Sequence, residues 1–238
     1  MIRYECLEFL AAKITDQLVV TSQSGQRIEW SHLSKHEGNL LVGMMGCAIG
    51  VGTGLALALP HRKVIVLDSD GSVLLSLFNL ATLGNLRPKN LAIYVFDNGV
   101  YSGSRISYPT ATAGNTDLVA MAQGAGIKNA QTLRNIEEFK HKGVEALARD
   151  ELAFFVCKVE ESLMHREIPR PDTDLAENKY TFVRYLERTE KKTIPFISRG
   201  YGSRGGHSER NTYSACASNR VDGGCLRRFG SNAGFLQR

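Results

Sequence analysis

The sequence predicts a doubly wound α/β domain, a mostly parallel sheet with helices on both faces. Three observations predict it. Val64–Leu67 and Leu91–Phe96 are apolar without interruption, the mark of strands covered on both sides. Such runs alternate along the chain with stretches of helical periodicity, as a parallel sheet requires. The turns after the two runs carry Asp, Asn and Gly, and the carboxyl ends of parallel strands are where such sheets gather ligands. With 238 residues, 43% of them hydrophobic, the chain can bury a substantial core, which excludes wholesale disorder and a small disulfide scaffold.

Met1–Thr15 reads as a helix with Ile2, Cys6, Phe9, Leu10 and Ile14 on one face, and Leu18–Thr21 as a strand. Leu40–Leu59 holds no charge over twenty residues, the length of a membrane span. Five of the twenty are glycines and Pro60 leads into a strand, so a buried glycine-rich helix over about Met45–Leu59 is the preferred reading. A strand at Lys63–Leu67, a helix at Ser72–Leu83 and a strand at Asn90–Phe96 follow. Helices near Asp117–Gln123 and at Ile136–Arg149 precede a last strand at Ala153–Val159, and Asn178–Thr189 forms one more amphipathic helix.

A net charge of +5 suggests a nucleic-acid footprint only if it clusters on the folded domain, and it is not spread over this pattern. From Thr193 onward seven arginines face only Glu209 and Asp222, which leaves 22 basic and 22 acidic side chains in residues 1–192. The expected division is therefore a site-bearing domain over residues 1–187 and a linker with a disordered Gly/Ser/Arg-rich tail over 188–238. Five cysteines without a CxxC pair, and no secretory signal, point to a reducing cytoplasm.

The most informative stretch is Val64–Gly103. A buried strand ends in Asp68-Ser-Asp-Gly-Ser72 and a helix, so Gly71 permits close backbone approach and the free amides opening the helix at Ser72 favour an anion such as phosphate. Asp70 adds a hard oxygen. The next strand ends in Asp97-Asn-Gly-Val-Tyr101, a second set of oxygen donors at the same edge if the strands are neighbours. A carboxylate, an amide oxygen, a main-chain carbonyl and two phosphate oxygens suit an octahedral magnesium ion, so the implied ligand is a metal-bridged diphosphate. Each turn alone also reads as ordinary punctuation, with Asp70 a helix cap. Their joint occurrence, 28 positions apart from Asp70 to Asn98 with a helix and a strand between, points to a site.

Asp70-Gly-Ser followed by Asp97-Asn-Gly-Val-Tyr101 resembles the cofactor motif of the thiamine diphosphate-dependent enzymes, GDG followed by NN, with Ser69 and Asp97 replacing the first residue of each half. Gly43 through Pro60 resembles the segment before that motif in 2-oxo acid decarboxylases, and more narrowly Met45-Gly-Cys-Ala with Ala58-Leu-Pro-His-Arg-Lys-Val-Ile-Val-Leu67 resembles the sulfopyruvate and phosphonopyruvate decarboxylases. The resemblance implies that Asp70, the side chain of Asn98 and the main-chain oxygen of Val100 bind Mg2+, and that Gly71 and Ser72 hold the diphosphate. It makes Met45 the bulky residue that bends thiamine diphosphate and sets the backbone of Gly43 against its pyrimidine ring. It implies decarboxylation of a small acidic 2-oxo acid, 3-sulfopyruvate first and phosphonopyruvate second, with acetolactate-type carboligation or a catalytically silent subunit as alternatives. The activating glutamate of the family lies on a pyrimidine-binding domain. No catalytic side chain is therefore expected in this chain, which would share its site with a pyrimidine-binding α-type subunit in a hetero-oligomer.

Other constellations carry less. His32 and His36 lack a third ligand and read as loop histidines, and Gly50-Val-Gly-Thr-Gly54 as close helix packing. Cys47 reads as a small core residue, and Arg105 as either a substrate contact or a solvated loop residue.

Overall fold

The computed structural model describes residues 1–102, 107–162, 168–169 and 174–194; Arg105 and the segment after residue 194 lie outside them. Helix α1 (Arg3–Ala11) leads into β1 (Leu18–Thr21), followed by α2 (Gly25–Leu33), β2 (Asn39–Leu41), α3 (Ala48–Ala58) and β3 (Val64–Ser69). Then come α4 (Asp70–Leu74), α5 (Phe78–Leu86), β4 (Leu91–Asp97) and the hairpin β5 (Val100–Ser102) and β6 (Ser107–Pro109). A 3-10 turn at Ala111–Ala113, α6 (Leu118–Gly124), β7 (Ala130–Leu133), α7 (Ile136–Ala148), β8 (Ala153–Lys158) and α8 (Leu175–Glu190) complete the chain. The main sheet has the order β2-β1-β3-β4-β8-β7 and every pairing is parallel. All carboxyl ends therefore share one edge, and the order reverses between β1 and β3, where an α/β sheet opens its ligand crevice.

The strands split their side chains between two cores with period two. Val64, Val66, Ile93, Val95 and Phe154 pack with α3, α5, α6 and α8, whereas Ile65, Leu67, Tyr94, Phe96 and Phe155 pack with α1, α2 and α7. This two-faced burial is why the strands read as unbroken apolar runs.

The expected Ser72–Leu83 helix is two helices. The chain breaks at residues 75–77, and the turn through Gly46 packs on the break: a Cβ on Gly46 would lie 2.3 Å from Ser76 Oγ. The glycine-rich helix starts at Ala48 rather than Met45, because Gly46 adopts φ +81° in the turn before it. Among the described residues no helix is long and apolar enough to cross a membrane. Close helix packing holds at Gly52, where a Cβ would sit 2.2 Å from Val66 Cγ2 on β3, and not at Gly54, which has nothing within 4 Å. His32 is exposed on α2, and His36 accepts the Gly38 amide through Nδ1 and packs edge-on against Tyr185.

Helix α8 runs past residue 187, and the compact unit extends from Met1 to Ile194. Its C-terminal turn is fastened by Arg62, which donates to Glu190 at 2.8 Å, to the Tyr185 hydroxyl at 3.0 Å and to the Asp16 carbonyl at 2.6 Å; His61 Nε2 lies 2.7 Å from the same glutamate. Nearer its start, Asn178 accepts from the Leu41 amide at 2.8 Å and donates to the Asn39 carbonyl at 2.9 Å along the outer edge of β2.

Candidate functional site

Strands β3 and β4 are direct neighbours, with Ser69 opposite Phe96, so Asp70 and the Asp97–Val100 turn emerge side by side. Ser69 has φ −123° and ψ 157°, ordinary extended backbone, so a side chain costs nothing where the motif has glycine. Asp70 is buried. Its Oδ2 accepts hydrogen bonds from Thr110 Oγ1 at 2.7 Å and Thr112 Oγ1 at 2.9 Å. Its Oδ1 is buried with no hydrogen-bond partner among the described residues, a costly arrangement unless a ligand completes it. Burial raises the Asp70 pKa above the ordinary carboxylate range, with help from the neighbouring Asp97 charge and against the threonine hydrogen bonds.

Gly71 is required by its surroundings, because a Cβ would lie 2.4 Å from Tyr101 Cε1. The Ser72 hydroxyl is fully buried and committed: it accepts the Gly46 amide at 2.8 Å and bonds to Asp68, whose pKa burial raises against that bond and one from Ser22. What Ser72 can offer an anion is its main-chain amide in the first turn of α4.

After β4 the chain makes a tight turn at Gly99, φ +73°. Asn98 Oδ1 accepts the Val100 amide at 3.2 Å and Asp97 Oδ1 accepts the Gly99 amide at 3.1 Å. The Thr110 amide donates to the Gly99 carbonyl at 2.8 Å, which makes Gly99–Thr110 the hydrogen-bonded pair of the hairpin. At the next pair, Val100–Pro109, hydrogen bonds alternate and proline has no amide hydrogen, so the Val100 carbonyl stays outside the ladder. The negative charge that Asp97 brings is matched: Asp97 lies opposite Lys158 at the end of β8, and Lys158 Nζ pairs with Asp97 Oδ2.

The turn between β2 and α3 lies on the same edge. Gly46 donates its amide to Ser72, and its carbonyl accepts from Asn79 at 3.1 Å. Met45 is half-buried beside it, and a Cβ on Gly43 would lie 2.8 Å from Leu175 at the start of α8. The structure thus sets Asp70, Gly71 and Ser72 beside Asp97, Asn98 and Val100, and Gly46 hydrogen-bonds to Ser72. Sequence reasoning missed Gly46, Thr110, Thr112 and Lys158.

Hard oxygen donors around an unpartnered carboxylate oxygen fit a magnesium ion, and the main-chain amides that open α4 after Ser69 fit a diphosphate beside it. The model of the thiamine pyrophosphate enzyme C-terminal TPP-binding domain matches residues 26–157, a range that includes Gly43 to Thr112. The chain belongs to the thiamine pyrophosphate enzyme family.

Among the relatives of this thiamine pyrophosphate-binding chain is the sulfopyruvate decarboxylase subunit beta of Methanocaldococcus jannaschii, 31% identical over 192 residues, covering 79% of this chain and 98% of the relative. The phosphonopyruvate decarboxylase of Streptomyces viridochromogenes is 35% identical over 150 residues, 62% of this chain and 37% of that enzyme. A solved benzoylformate decarboxylase from Polynucleobacter necessarius shares the fold with a TM-score of 0.53 and 19% identity, over 68% of this chain and 34% of that one.

Proposed function

We propose that this chain is the diphosphate- and magnesium-holding subunit of a thiamine diphosphate-dependent decarboxylase of a small acidic 2-oxo acid, 3-sulfopyruvate first and phosphonopyruvate second. The observation that carries the cofactor half of this reading is the buried, unpartnered Oδ1 of Asp70 beside the Asp97–Val100 turn. The substrate follows the relatives that the chain matches over nearly their full length, which are β subunits of sulfopyruvate decarboxylase.

In this reading Asp70, the Asn98 side chain and the Val100 carbonyl hold the cation, which the diphosphate also contacts. Gly71 and the Ser72 amide meet the diphosphate, and Met45 and the Gly43 backbone meet the body of the cofactor. When bound, the thiazolium supplies the electron sink for carboxylate loss. The chain's own share is to bind and orient. The activating glutamate is assigned to a pyrimidine-binding partner. Met44, Leu75 and Phe78, 65%, 60% and 70% exposed on adjoining segments beside the site, offer the apolar surface for it. We place the cofactor-holding unit within residues 1–194.

Calorimetric titration of thiamine diphosphate with Mg2+ into the chain co-purified with its partner should show saturable binding that Asp70→Ala removes. Binding indifferent to that change would sink the cofactor assignment. Carbon dioxide release should be faster from sulfopyruvate than from phosphonopyruvate or pyruvate, and a preference for pyruvate would overturn the substrate.

A further inference from the structure

Two threonines returning from the hairpin reach back over Asp70. Thr110 Oγ1 and Thr112 Oγ1 stand 2.8 Å apart, both within hydrogen-bond distance of the same oxygen, Oδ2. Thr112 Oγ1 is also 2.8 Å from Asp97 Oδ1. All three residues Asp70, Thr110 and Thr112 are buried, and Asp97 is anchored from its other side by Lys158.

The arrangement has two consequences. A carboxylate can exchange its oxygens by rotating about its terminal bond, so an unanchored Asp70 could present either one. Thr110 gives its one hydroxyl hydrogen to Oδ2 and Thr112 shares its one hydrogen between Oδ2 and Asp97 Oδ1, so Oδ1 of Asp70 is left to face a ligand. Thr112 also stands between carboxylates that follow different strands, Asp70 after β3 and Asp97 at the end of β4. Because Asp97 receives the Gly99 amide, a hydroxyl shared with Asp97 fixes the turn that carries Asn98 and Val100 relative to Asp70.

We propose that Thr112, assisted by Thr110, is the positioning residue of the cation site: it selects the Asp70 oxygen that meets the metal and holds the two halves of the site in register. This rests on the reading that Asp70, Asn98 and Val100 hold magnesium. Outer-shell partners of this kind typically change metal affinity by about 10- to 100-fold. They act through the ligand, without touching substrate or cofactor.

The test uses the full chain co-purified with its partner. The half-saturating Mg2+ concentration is measured at fixed thiamine diphosphate, and the spectrum of bound Mn2+ is recorded as a separate readout of ligand geometry. Thr112→Val should raise half-saturation about 10-fold or more and alter the Mn2+ spectrum, while Thr112→Ser, which keeps the hydroxyl, should stay within about threefold of the original. Equal losses in the Val and Ser variants would assign the effect to packing and overturn the proposal. So would wild-type metal dependence in Thr112→Val when Asp70→Ala abolishes binding. If Thr112→Val does not fold, Thr110→Val decides, and an unchanged metal requirement there overturns the proposal. If Asp70→Ala binds as the original does, the magnesium reading itself falls and the positioning role with it.

Discussion

Asp97 shows how a single departure from a motif is absorbed by a neighbour that the motif does not contain. Its carboxylate is buried, and Lys158, whose side chain is 38% exposed, is its counterion. Lys158→Met should therefore cost about 1–3 kcal/mol, the penalty for a buried acceptor left without its partner. Asp97→Asn in that background should recover most of the loss in urea unfolding, and a double variant no better than the single would refute the compensation. The aspartate and asparagine of the site were legible because glycines and strand ends flank them. Thr110, Thr112 and Lys158 were not, because their roles exist only once the hairpin has folded back and β8 has taken its place beside β4.

At the scale of elements, the glycines of α3 are unequal although the sequence spaces them alike. Gly52 meets Val66 on β3, Gly50 would place a Cβ 3.3 Å from Asn79 Oδ1, and Gly54 has nothing within 4 Å. Gly52→Ala should destabilise by about 1–3 kcal/mol through overpacking. Gly54→Ala should stabilise by up to about 1 kcal/mol, through helix propensity and a less free unfolded chain. Thermal melting of the two variants checks both signs, and equal effects would mean that the contact with β3 is not what fixes the helix. Long apolar strands and α7 were legible from pattern. The three-residue β2, the half-polar β7 and the two-residue separation of β4 from β5 fall below what periodicity can register. The break between α4 and α5 carries no glycine or proline, and tertiary packing from the Gly46 turn accompanies it instead.

At the scale of the molecule, α8 lies beyond the segment that defines the family and covers the sheet edge at β2. Against the burial that would raise its pKa, hydrogen bonds from His61 and Arg62 hold the Glu190 carboxyl below the ordinary glutamate value. A depressed acid gives its stabilisation above the unfolded pKa, about 4.3, and loses it as pH falls through the folded value. Protection of the α8 amides, taken relative to their intrinsic exchange rates, should accordingly fall on acidification below about pH 4.3, by an amount worth less than about 1 kcal/mol for an ion-pair cluster at the surface. Glu190→Gln should show the faster exchange already at neutral pH, and identical profiles in the two proteins would discard the latch. The basic charge that first suggested a nucleic-acid footprint has no counterpart in residues 1–192, whose formal charge is zero.

Asn178 does for β2 what a further strand would do, since one side-chain amide answers both an amide hydrogen and a carbonyl on the strand's outer margin. An open margin of that kind is a template on which a foreign chain can crystallise its own backbone. By spending a single asparagine there, the molecule closes its sheet at β2, because the Leu41 amide and the Asn39 carbonyl that a further strand would need are already answered.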